Sequence, residues 1–324
     1  MILYHSPFFK IHSKAGFMMA IPIIDLHCDA LYKMYKYDLD FSSSPHLDVN
    51  LQKLRAGHVQ AQAFAIFVDP DWSKEKKLEA ALKQVDYFNK QVIRENVVHI
   101  KHWSDFHALK PGQIGAFLTI EGVDFFAGDI EIWYRFREFG VLVLGLTWNM
   151  ANEAADGLTS NLGRGVTDFG KEIIRLNNAH KIITDVTHLN EQSFWDVIEY
   201  ADYVMATHSN TTTICNHPRN LTDAQLKAMI YKNAPIHIVY YPEFINNSTT
   251  ATIADLLRHV DHICAMGGKH LIGLGSDFDG IDYKVLGLEH AGRHQNLINE
   301  LLKQYSEADV RGFAYENFLN HLPK

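Results

Sequence analysis

Five side chains of the kinds that bind metal ions each follow a short apolar run in this sequence. They are His27, Asp29, Glu121, His188 and His208. Only Cys28 separates His27 from Asp29, and in an extended segment side chains two positions apart point to the same side. Both residues can therefore bind one cation while Cys28 faces away.

The other three candidates are individually ambiguous. Glu121 ends an apolar run, where its lost hydration must be compensated by a cation or by several donors, although a salt bridge at a barrel rim would also serve. A single histidine at a strand end is more often a hydrogen-bonded structural residue than a ligand, and the chain has 19 histidines. The shared position of all five residues at strand ends favours a metal site.

The donor set suggests more than one metal ion. Three histidines, an aspartate and a glutamate exceed the needs of a single tetrahedral zinc. They suit two zinc ions roughly 3.5–4 Å apart that share a carboxylate, and we assign Glu121 as the bridge. Cys215 is a softer alternative ligand, but it follows a strand on a loop and is left out. Two zinc ions per chain would turn a bridging water into a hydroxide that attacks a carbonyl carbon.

Eight apolar, β-branched runs alternate with longer amphipathic segments, as in βα units with a parallel sheet. Most of the runs are continuously hydrophobic, as strands covered on both faces are. This count predicts a (β/α)8 TIM-like barrel, with its chemistry at the C-terminal ends of the strands. The predicted strands are Ile21–Leu26, Ala61–Val68, Ile114–Ile120, Val141–Thr147, Lys181–Thr187, Tyr203–Thr207, Ile236–Tyr240 and His270–Gly275.

Helices are predicted between these strands, and no linker or repeat interrupts the alternation. Residues 21–324 are therefore predicted to form one catalytic domain, and residues 1–20 an irregular extension. Asn190, Thr222 and Thr252 suit helix N-termini. The predicted helices are Glu75–Asn96, Ile130–Phe139, Asp168–Asn178, Glu191–Tyr200, Asp223–Tyr231 and Ile253–Met266.

Composition restricts the class of function. The 324 residues are 47% hydrophobic and 21% charged, with a formal charge of −8, so no basic surface predicts nucleic-acid binding. The N-terminal segment lacks the apolar run of a signal peptide, and no later stretch approaches the roughly 18 apolar residues of a membrane span. Three scattered cysteines favour a reducing compartment. We expect a cytoplasmic protein without a nucleic-acid or membrane partner that acts on a small molecule.

The motifs around these residues resemble those of the membrane (renal) dipeptidases in a bacterial-type form. This family of zinc peptidases implies a (β/α)8 barrel of the metallo-dependent hydrolase type. The similarity extends from Asp25 to Gly280. The motifs that carry it include Asp25-Leu26-His27-Cys28-Asp29, Glu121-Gly122, Leu146-Thr147-Trp148-Asn149, Asp185-Val186-Thr187-His188, Thr207-His208-Ser209-Asn210, His217-Pro218-Arg219-Asn220 and Gly275-Ser276-Asp277-Phe278-Asp279-Gly280.

The resemblance implies a division of labour among the metal ligands. One zinc would be bound by His27 and Asp29, the second by His188 and His208, with Glu121 bridging both.

The resemblance also implies roles beyond the metal ligands. Arg219 would receive the terminal carboxylate of a dipeptide substrate, although an arginine on a loop is commonly a solvated charge. Asp277 would be the catalytic acid/base, with Asp279 structural. Asn149 and Trp148 would contact substrate. Animal members have a histidine in place of Trp148, whose indole donates one hydrogen bond but cannot accept a proton.

We therefore predict a zinc-dependent dipeptidase, for which the resemblance is compatible with a homodimer. One alternative is a binuclear metal amidohydrolase that acts on another small amide, lactone or ester, because barrels with the same metals support many reactions. Another is a non-catalytic metal-binding protein. The presence of Asp277 and Arg219 beside all five candidate ligands argues against that last alternative, since a scaffold has no use for an acid/base.

Overall fold

All eight predicted strands form in the computed structural model, which describes residues 20–94 and 96–324. Three further short strands accompany them. In chain order the strands are β1 (Ile23–Asp25), β2 (Val59–Phe67), β3 (Val97–His99), β4 (Ile114–Glu121), β5 (Val141–Gly145), β6 (Ile183–Asp185), β7 (Val204–Met205), β8 (Ile236–Ile238), β9 (Ala251–Thr252), β10 (Ile272–Leu274) and β11 (Val285–Leu286).

Eight of these strands form a ring in the order β7-β6-β5-β4-β2-β1-β10-β8, with every neighbouring pair parallel. The ring closes through a parallel bridge between Ala206 and Ile236, where the amide of His237 donates to the carbonyl of Ala206 at 2.9 Å. The predicted (β/α)8 barrel is thereby confirmed. All eight strands point the same way, so their C-terminal ends meet at one mouth.

Helices cover the outside of the ring. The three predicted N-caps are confirmed, since the side chains of Asn190, Thr222 and Thr252 each accept a hydrogen bond from the amide three residues later. The helices are α1 (Ala30–Tyr37), α2 (Leu51–Ala56), α3 (Lys74–Tyr87), α4 (Ile130–Glu138), α5 (Asp168–His180), α6 (Glu191–Tyr200), α7 (Asp223–Tyr231), α8 (Pro242–Asn246), α9 (Ile253–Ala265), α10 (His294–Leu301), α11 (Glu307–Arg311) and α12 (Asn317–Asn320).

One helix prediction is wrong at its C-terminal end. The segment predicted as Glu75–Asn96 is α-helical only to Tyr87, and a π-helical turn follows over Phe88–Val92. The ring of buried Phe88 packs on Phe64 of β2, with centroids 5.6 Å apart. Arg94 and Val97 then exchange backbone hydrogen bonds at the start of β3, which pairs with β4 outside the ring. Burial of Phe88 against the barrel thus overrides helix propensity.

A continuous apolar core extends from Ile21 to Phe318 through the barrel and the helices around it. The predicted irregular extension falls almost wholly on residues 1–19, which lie outside the described residues. The boundary at residue 21 and the single-domain division stay predictions. Within the part of the chain that the structure describes, no helix has both the length and the apolar character to cross a lipid bilayer.

Gly275, just after β10, gives a test of barrel closure. A Cβ added there would lie 1.8 Å from the carbonyl oxygen of Thr207, so Gly275→Ala must separate two strand ends. We expect a loss of about 2–3 kcal/mol in the free energy of unfolding, measured by chemical denaturation. Gly145→Ala is the matched control, because its nearest atom is the carbonyl oxygen of Ile120 at 3.4 Å. Equal denaturation midpoints for the two variants would show that a side chain at position 275 does not force the strand ends apart.

The burial of His259 in α9 predicts that the folded protein loses stability at acidic pH. Its Nδ1 accepts from the amide of Thr211 at 3.1 Å and its Nε2 donates to the carbonyl of Ile245 at 3.0 Å, an arrangement that uses the neutral ring. Burial lowers the pKa of His259 to about 4. The unfolded chain therefore binds more protons between pH 6.5 and 4, and stability falls as the pH drops through that window.

The contribution of His259 to this loss is about 3 kcal/mol between pH 7 and pH 4. The measurement is the denaturation midpoint against pH for the wild type and for His259→Gln in the same metal state. The glutamine variant should be less stable at pH 7 but lose less stability on acidification. Parallel pH profiles would contradict the assignment.

Candidate active site

The five predicted ligands converge at the barrel mouth, although they come from four different strand ends or the loops after them. Nε2 of His188 lies 2.8 Å from Oε1 of Glu121, and Nε2 of His208 lies 3.8 Å from the same oxygen. Nε2 of His27 lies 3.5 Å from Oε2 of Glu121 and 3.4 Å from Oδ2 of Asp29. Each Glu121 oxygen thus faces a different group of donors. All five side chains are at least nine-tenths buried.

The tautomers of His188 and His208 follow from their other ring nitrogens. Nδ1 of His188 lies 2.8 Å from Oδ1 of Asn149, an acceptor. Nδ1 of His208 lies 2.9 Å from the hydroxyl of Thr207, whose own proton goes to Oδ2 of Asp185 at 2.5 Å. Both Nδ1 atoms must then carry the proton, and both Nε2 atoms present lone pairs only 3.0 Å apart. Two facing lone pairs need a cation between or beside them.

Two further buried atoms have no hydrogen-bond partner among the described residues, namely Nε2 of His27 and Oδ1 of Asp29. A buried polar atom without a partner costs about 1–3 kcal/mol. Metal coordination would satisfy both atoms together with the lone pairs of His188 and His208. The donor set therefore fits metal ions, and the predicted ligand roles of the five residues stay predictions.

The electrostatics of the cluster are strongly coupled. Burial opposes the charged form of His27, but the Glu121 and Asp29 carboxylates outweigh it and raise the pKa of His27 well above its usual range. Burial likewise opposes ionisation of Glu121, but His27 and His188 lower the pKa of Glu121 well below its usual range. Glu121 is therefore a carboxylate that depends on neighbouring positive charge. Without metal, His27 supplies that charge.

Asp277 lies on the β10 side of the same cluster, with Oδ1 3.8 Å from Nε2 of His27. Burial and the nearby Asp29 and Glu121 carboxylates raise the pKa of Asp277 well above its usual range. Its φ of 63° is in the left-handed region, which aspartate tolerates better than most residues. A Cβ on Gly280 would meet Asp29 and Asp277 oxygens at 2.2 and 2.7 Å, so only glycine leaves this space open.

Arg219 is not the solvated loop charge that the sequence left open. Its side chain is buried, with 7% exposure, and its guanidinium lies over the Phe244 ring at 5.1 Å from the centroid. The terminal Nη2 lies 3.4 Å from Nε2 of His188, and Nε has no hydrogen-bond partner among the described residues. A buried cation with free donors thus borders the predicted metal centre.

Trp148 and Asn149 line the same cavity of about 430 Å³ as Asp29, Glu121 and Arg219. The Trp148 ring packs edge-on against Phe67, with centroids 5.4 Å apart. The amide oxygen of Asn149 is already engaged by His188, so this residue orients a predicted ligand. Contact of either residue with substrate stays a prediction.

Comparison with known proteins identifies the family of this chain. The family model described as membrane dipeptidase, peptidase family M19, matches residues 13–324. The chain belongs to the membrane dipeptidase family. Membership confirms the predicted family, and the chain is a metallo-dipeptidase, a hydrolase of peptide bonds.

Two curated proteins are similar to this family member in sequence. Dipeptidase aclJ of Aspergillus oryzae is 27% identical over 331 aligned residues, which cover 93% of this chain and 78% of that protein. An uncharacterized protein in the pqqA 5′ region of Klebsiella pneumoniae is 34% identical over 173 residues, which cover 50% of this chain and 64% of that protein.

Solved structures share the fold of this M19 family member. A metallo peptidase from Rhodobacter sphaeroides, liganded with a phosphinate mimic of the dipeptide L-Ala-D-Ala, superposes with a TM-score of 0.87 at 23% identity. The match covers 94% of this chain and 99% of that one. The dipeptidase AC superposes with a TM-score of 0.86 at 24% identity and covers 94% of this chain and 98% of that one.

Three residues set aside by the sequence analysis occupy structural positions in this dipeptidase. The carboxylate of Asp279 accepts from the amides of Asp48 and Val49 at 2.7 and 2.9 Å and pairs with Lys33 at 3.1 Å, which fits the predicted structural role. The Cys28 thiol contacts the carbonyl of Ala63, away from the site. The Cys215 thiol lies 3.5 Å from the carbonyl of Glu243, and Cys215 is in neither group of possible metal ligands among the described residues.

The residues that orient the predicted ligands were missed. Besides Thr207, buried Asp185 accepts hydrogen bonds from the amide and hydroxyl of Thr187 at 3.0 and 2.8 Å. Asp25 accepts from the amide and hydroxyl of Ser276 at 2.8 and 2.6 Å and so ties the His27 segment to the Asp277 loop. The sequence did contain a signal for these orienting residues. In each case an aspartate comes two or three residues before a candidate histidine, as in Asp25-Leu26-His27.

Thr207→Val tests the orienting hydrogen bond to His208. The substitution keeps the volume but removes the hydroxyl between Asp185 and His208. Loss of such a partner weakens metal affinity 10–100-fold in general. We expect that zinc titration of the metal-free protein, with a competing chelator, shows one ion weakened by about that factor.

The control is Thr213→Val, which removes a similar hydroxyl–carboxylate contact to Asp223 on an exposed turn. It should leave both affinities unchanged. Two wild-type affinities in Thr207→Val would contradict the orienting role.

Proposed function

We propose that this enzyme hydrolyses dipeptides with two zinc ions bound by His27, Asp29, Glu121, His188 and His208. The observation that carries the proposal is the position of Glu121. One carboxylate oxygen faces His27 and the other faces His188, as a bridging ligand requires. Imidazole and carboxylate donors without a cysteine thiolate suit a hydrolytic zinc site.

Bound zinc ions would activate a water molecule and stabilise negative charge on the scissile carbonyl oxygen. Asp277 borders the same cavity beside His27 and Asp29. Its carboxyl group would hold the proton released by the nucleophile and donate it to the departing amine. No serine or cysteine nucleophile is needed.

Arg219 supports a dipeptide as the substrate. Its guanidinium would pair with a carboxylate through charge-assisted hydrogen bonds. Nη2 of Arg219 lies only 3.4 Å from Nε2 of His188, so the bound carboxylate must belong to the residue just after the scissile bond. A longer peptide would place an amide there. The cavity of about 430 Å³ is within the range of small-molecule sites.

The cellular setting is also a proposal. The three cysteines are free in the structure, which supports a cytoplasmic location, where thiols stay reduced. A homodimer is proposed by analogy with the family.

The defining experiment measures metal content together with hydrolysis of a dipeptide panel that includes L-Ala-L-Ala and L-Ala-D-Ala. We expect two zinc ions per chain, release of free amino acids, and loss of activity on chelation that zinc restores. A phosphinate dipeptide mimic should inhibit, because such a ligand is bound by the Rhodobacter sphaeroides neighbour. If the zinc-loaded protein cleaves no dipeptide, the proposal fails.

Arg219→Ala tests carboxylate recognition. Removal of a buried charge-assisted contact costs about 2–4 kcal/mol, so kcat/KM for dipeptides should fall about 30- to 1,000-fold. The same variant should cleave a dipeptide amide, which lacks the carboxylate, about as well as the wild type does. Arg219→Lys keeps the charge but not the paired geometry and should be intermediate. Equal losses on both substrates would show that Arg219 does not bind the carboxylate.

A further inference from the structure

Three aromatic side chains form one side of the active-site cavity, and we call them the aromatic wall. They are Tyr32, Phe67 and Trp148. Phe67 is in the middle, because its ring packs edge-on against Tyr32 at 5.1 Å and against Trp148 at 5.4 Å between centroids. The Trp148 ring also approaches His188, with centroids 6.2 Å apart. The wall therefore extends from the predicted metal centre toward the rim.

The aromatic wall is held in place by the backbone around it. The side chain of Gln84 hydrogen-bonds both to the amide and to the carbonyl of Phe67, at 3.3 and 2.6 Å. A Cβ on Gly122 would lie 2.8 Å from the amide nitrogen of Trp148, so the ends of β4 and β5 pack closely. A surface fixed in advance loses little conformational entropy when a ligand binds.

The position of the wall relative to Arg219 is set by the strand order. Phe67 ends β2, and Arg219 is on the loop after β7. In the ring β7-β6-β5-β4-β2-β1-β10-β8, β2 is four places from β7, which is directly across an eight-stranded barrel. Phe67 and the predicted carboxylate site therefore lie on opposite sides of the mouth, and Trp148, which follows β5 and approaches His188, lies between them.

This arrangement gives the substrate a direction. A dipeptide with its C-terminal carboxylate on Arg219 and its peptide bond at the predicted metal centre extends its N-terminal residue toward Phe67. The side chain of that residue meets aromatic surface. The ammonium of Lys36, 5.5 Å from the centroid of the Tyr32 ring, borders the same end of the cavity and disfavours a second cation there.

We propose that the aromatic wall binds the side chain of the N-terminal residue and selects dipeptides with an aromatic or large aliphatic residue at that position. The inference rests on the proposed dipeptidase function and adds its substrate class. Burial of a large apolar side chain against aromatic rings supplies the selectivity. Trp148 acts here as a specificity residue, which an imidazole at this position would not match in apolar area.

The test compares kcat/KM for Phe-Ala and Leu-Ala with kcat/KM for Gly-Ala and Lys-Ala. We expect the wild type to favour the first pair by about 20-fold, within the range for burial of one large apolar side chain. Ala-Phe, with the aromatic residue in the C-terminal position, should show no comparable gain over Ala-Ala.

Trp148→Ala and Phe67→Ala should each reduce the ratio of kcat/KM for Phe-Ala to kcat/KM for Gly-Ala to about threefold or less, whatever the absolute rate of each variant. Trp195→Ala is the matched control, since Trp195 is a half-buried tryptophan of α6 that packs against Phe194 on the outer face. It should keep the wild-type ratio. Zinc content and thermal unfolding of each variant establish that it is folded.

The outcomes separate this inference from the proposed function. If the wild type cleaves no dipeptide, the function itself fails. If it cleaves Gly-Ala and Lys-Ala as well as Phe-Ala, the function stands and the aromatic wall does not select the substrate. That result needs no variant, so it overturns the inference even if Phe67→Ala does not fold.

Discussion

The arrangement of the active site depends on one buried carboxylate, that of Glu121. Glu121 is held at the barrel mouth among three imidazoles, at N–O distances of 2.8 to 3.8 Å. Burial without compensating positive charge would be costly, and two of those imidazoles present lone pairs rather than protons. The protein therefore gathers predicted ligands whose lone pairs and negative charge need a cation beside them, and protonated His27 supplies that charge when no metal is bound. Folding of the barrel supplies the free energy that holds these side chains together before metal ions bind.

That energy comes from the closed ring. In the closed ring the β7 and β10 ends lie on either side of β8 and so close that a Cβ on Gly275 would lie 1.8 Å from the Thr207 carbonyl oxygen, and Thr207 in turn connects Asp185 with His208. Ligand orientation is thus a by-product of strand packing. A shift of one strand end would disturb both the barrel and the hydrogen bonds that fix the imidazole tautomers. Stability and metal binding consequently share residues.

The cavity is chemically asymmetric about the predicted metal centre. On one side is a buried guanidinium, Arg219, and on the other is the aromatic wall around Phe67. Charge on one side can define which end of a substrate enters, and apolar surface on the other can define which side chain is accepted. The two kinds of recognition do not compete for space, because Phe67 ends β2 and Arg219 follows β7, on the opposite side of the ring.

The amino-acid sequence by itself determined the eight strands of the ring, six of the twelve helices, the three N-caps and the five candidate ligands. These features depend on periodicity and spacing within windows of a few residues, such as the histidine and aspartate at positions 27 and 29. It did not determine that the helix predicted to reach Asn96 ends at Tyr87, because burial of Phe88 against β2 decides this.

Only the tertiary structure decided that Arg219 is buried beside His188, that Asp185 acts through Thr207, and that Phe67 meets Trp148. The two residues of each contact are 22 to 81 positions apart in the sequence. Their geometry depends on the register and closure of the whole ring, which no local window of sequence contains.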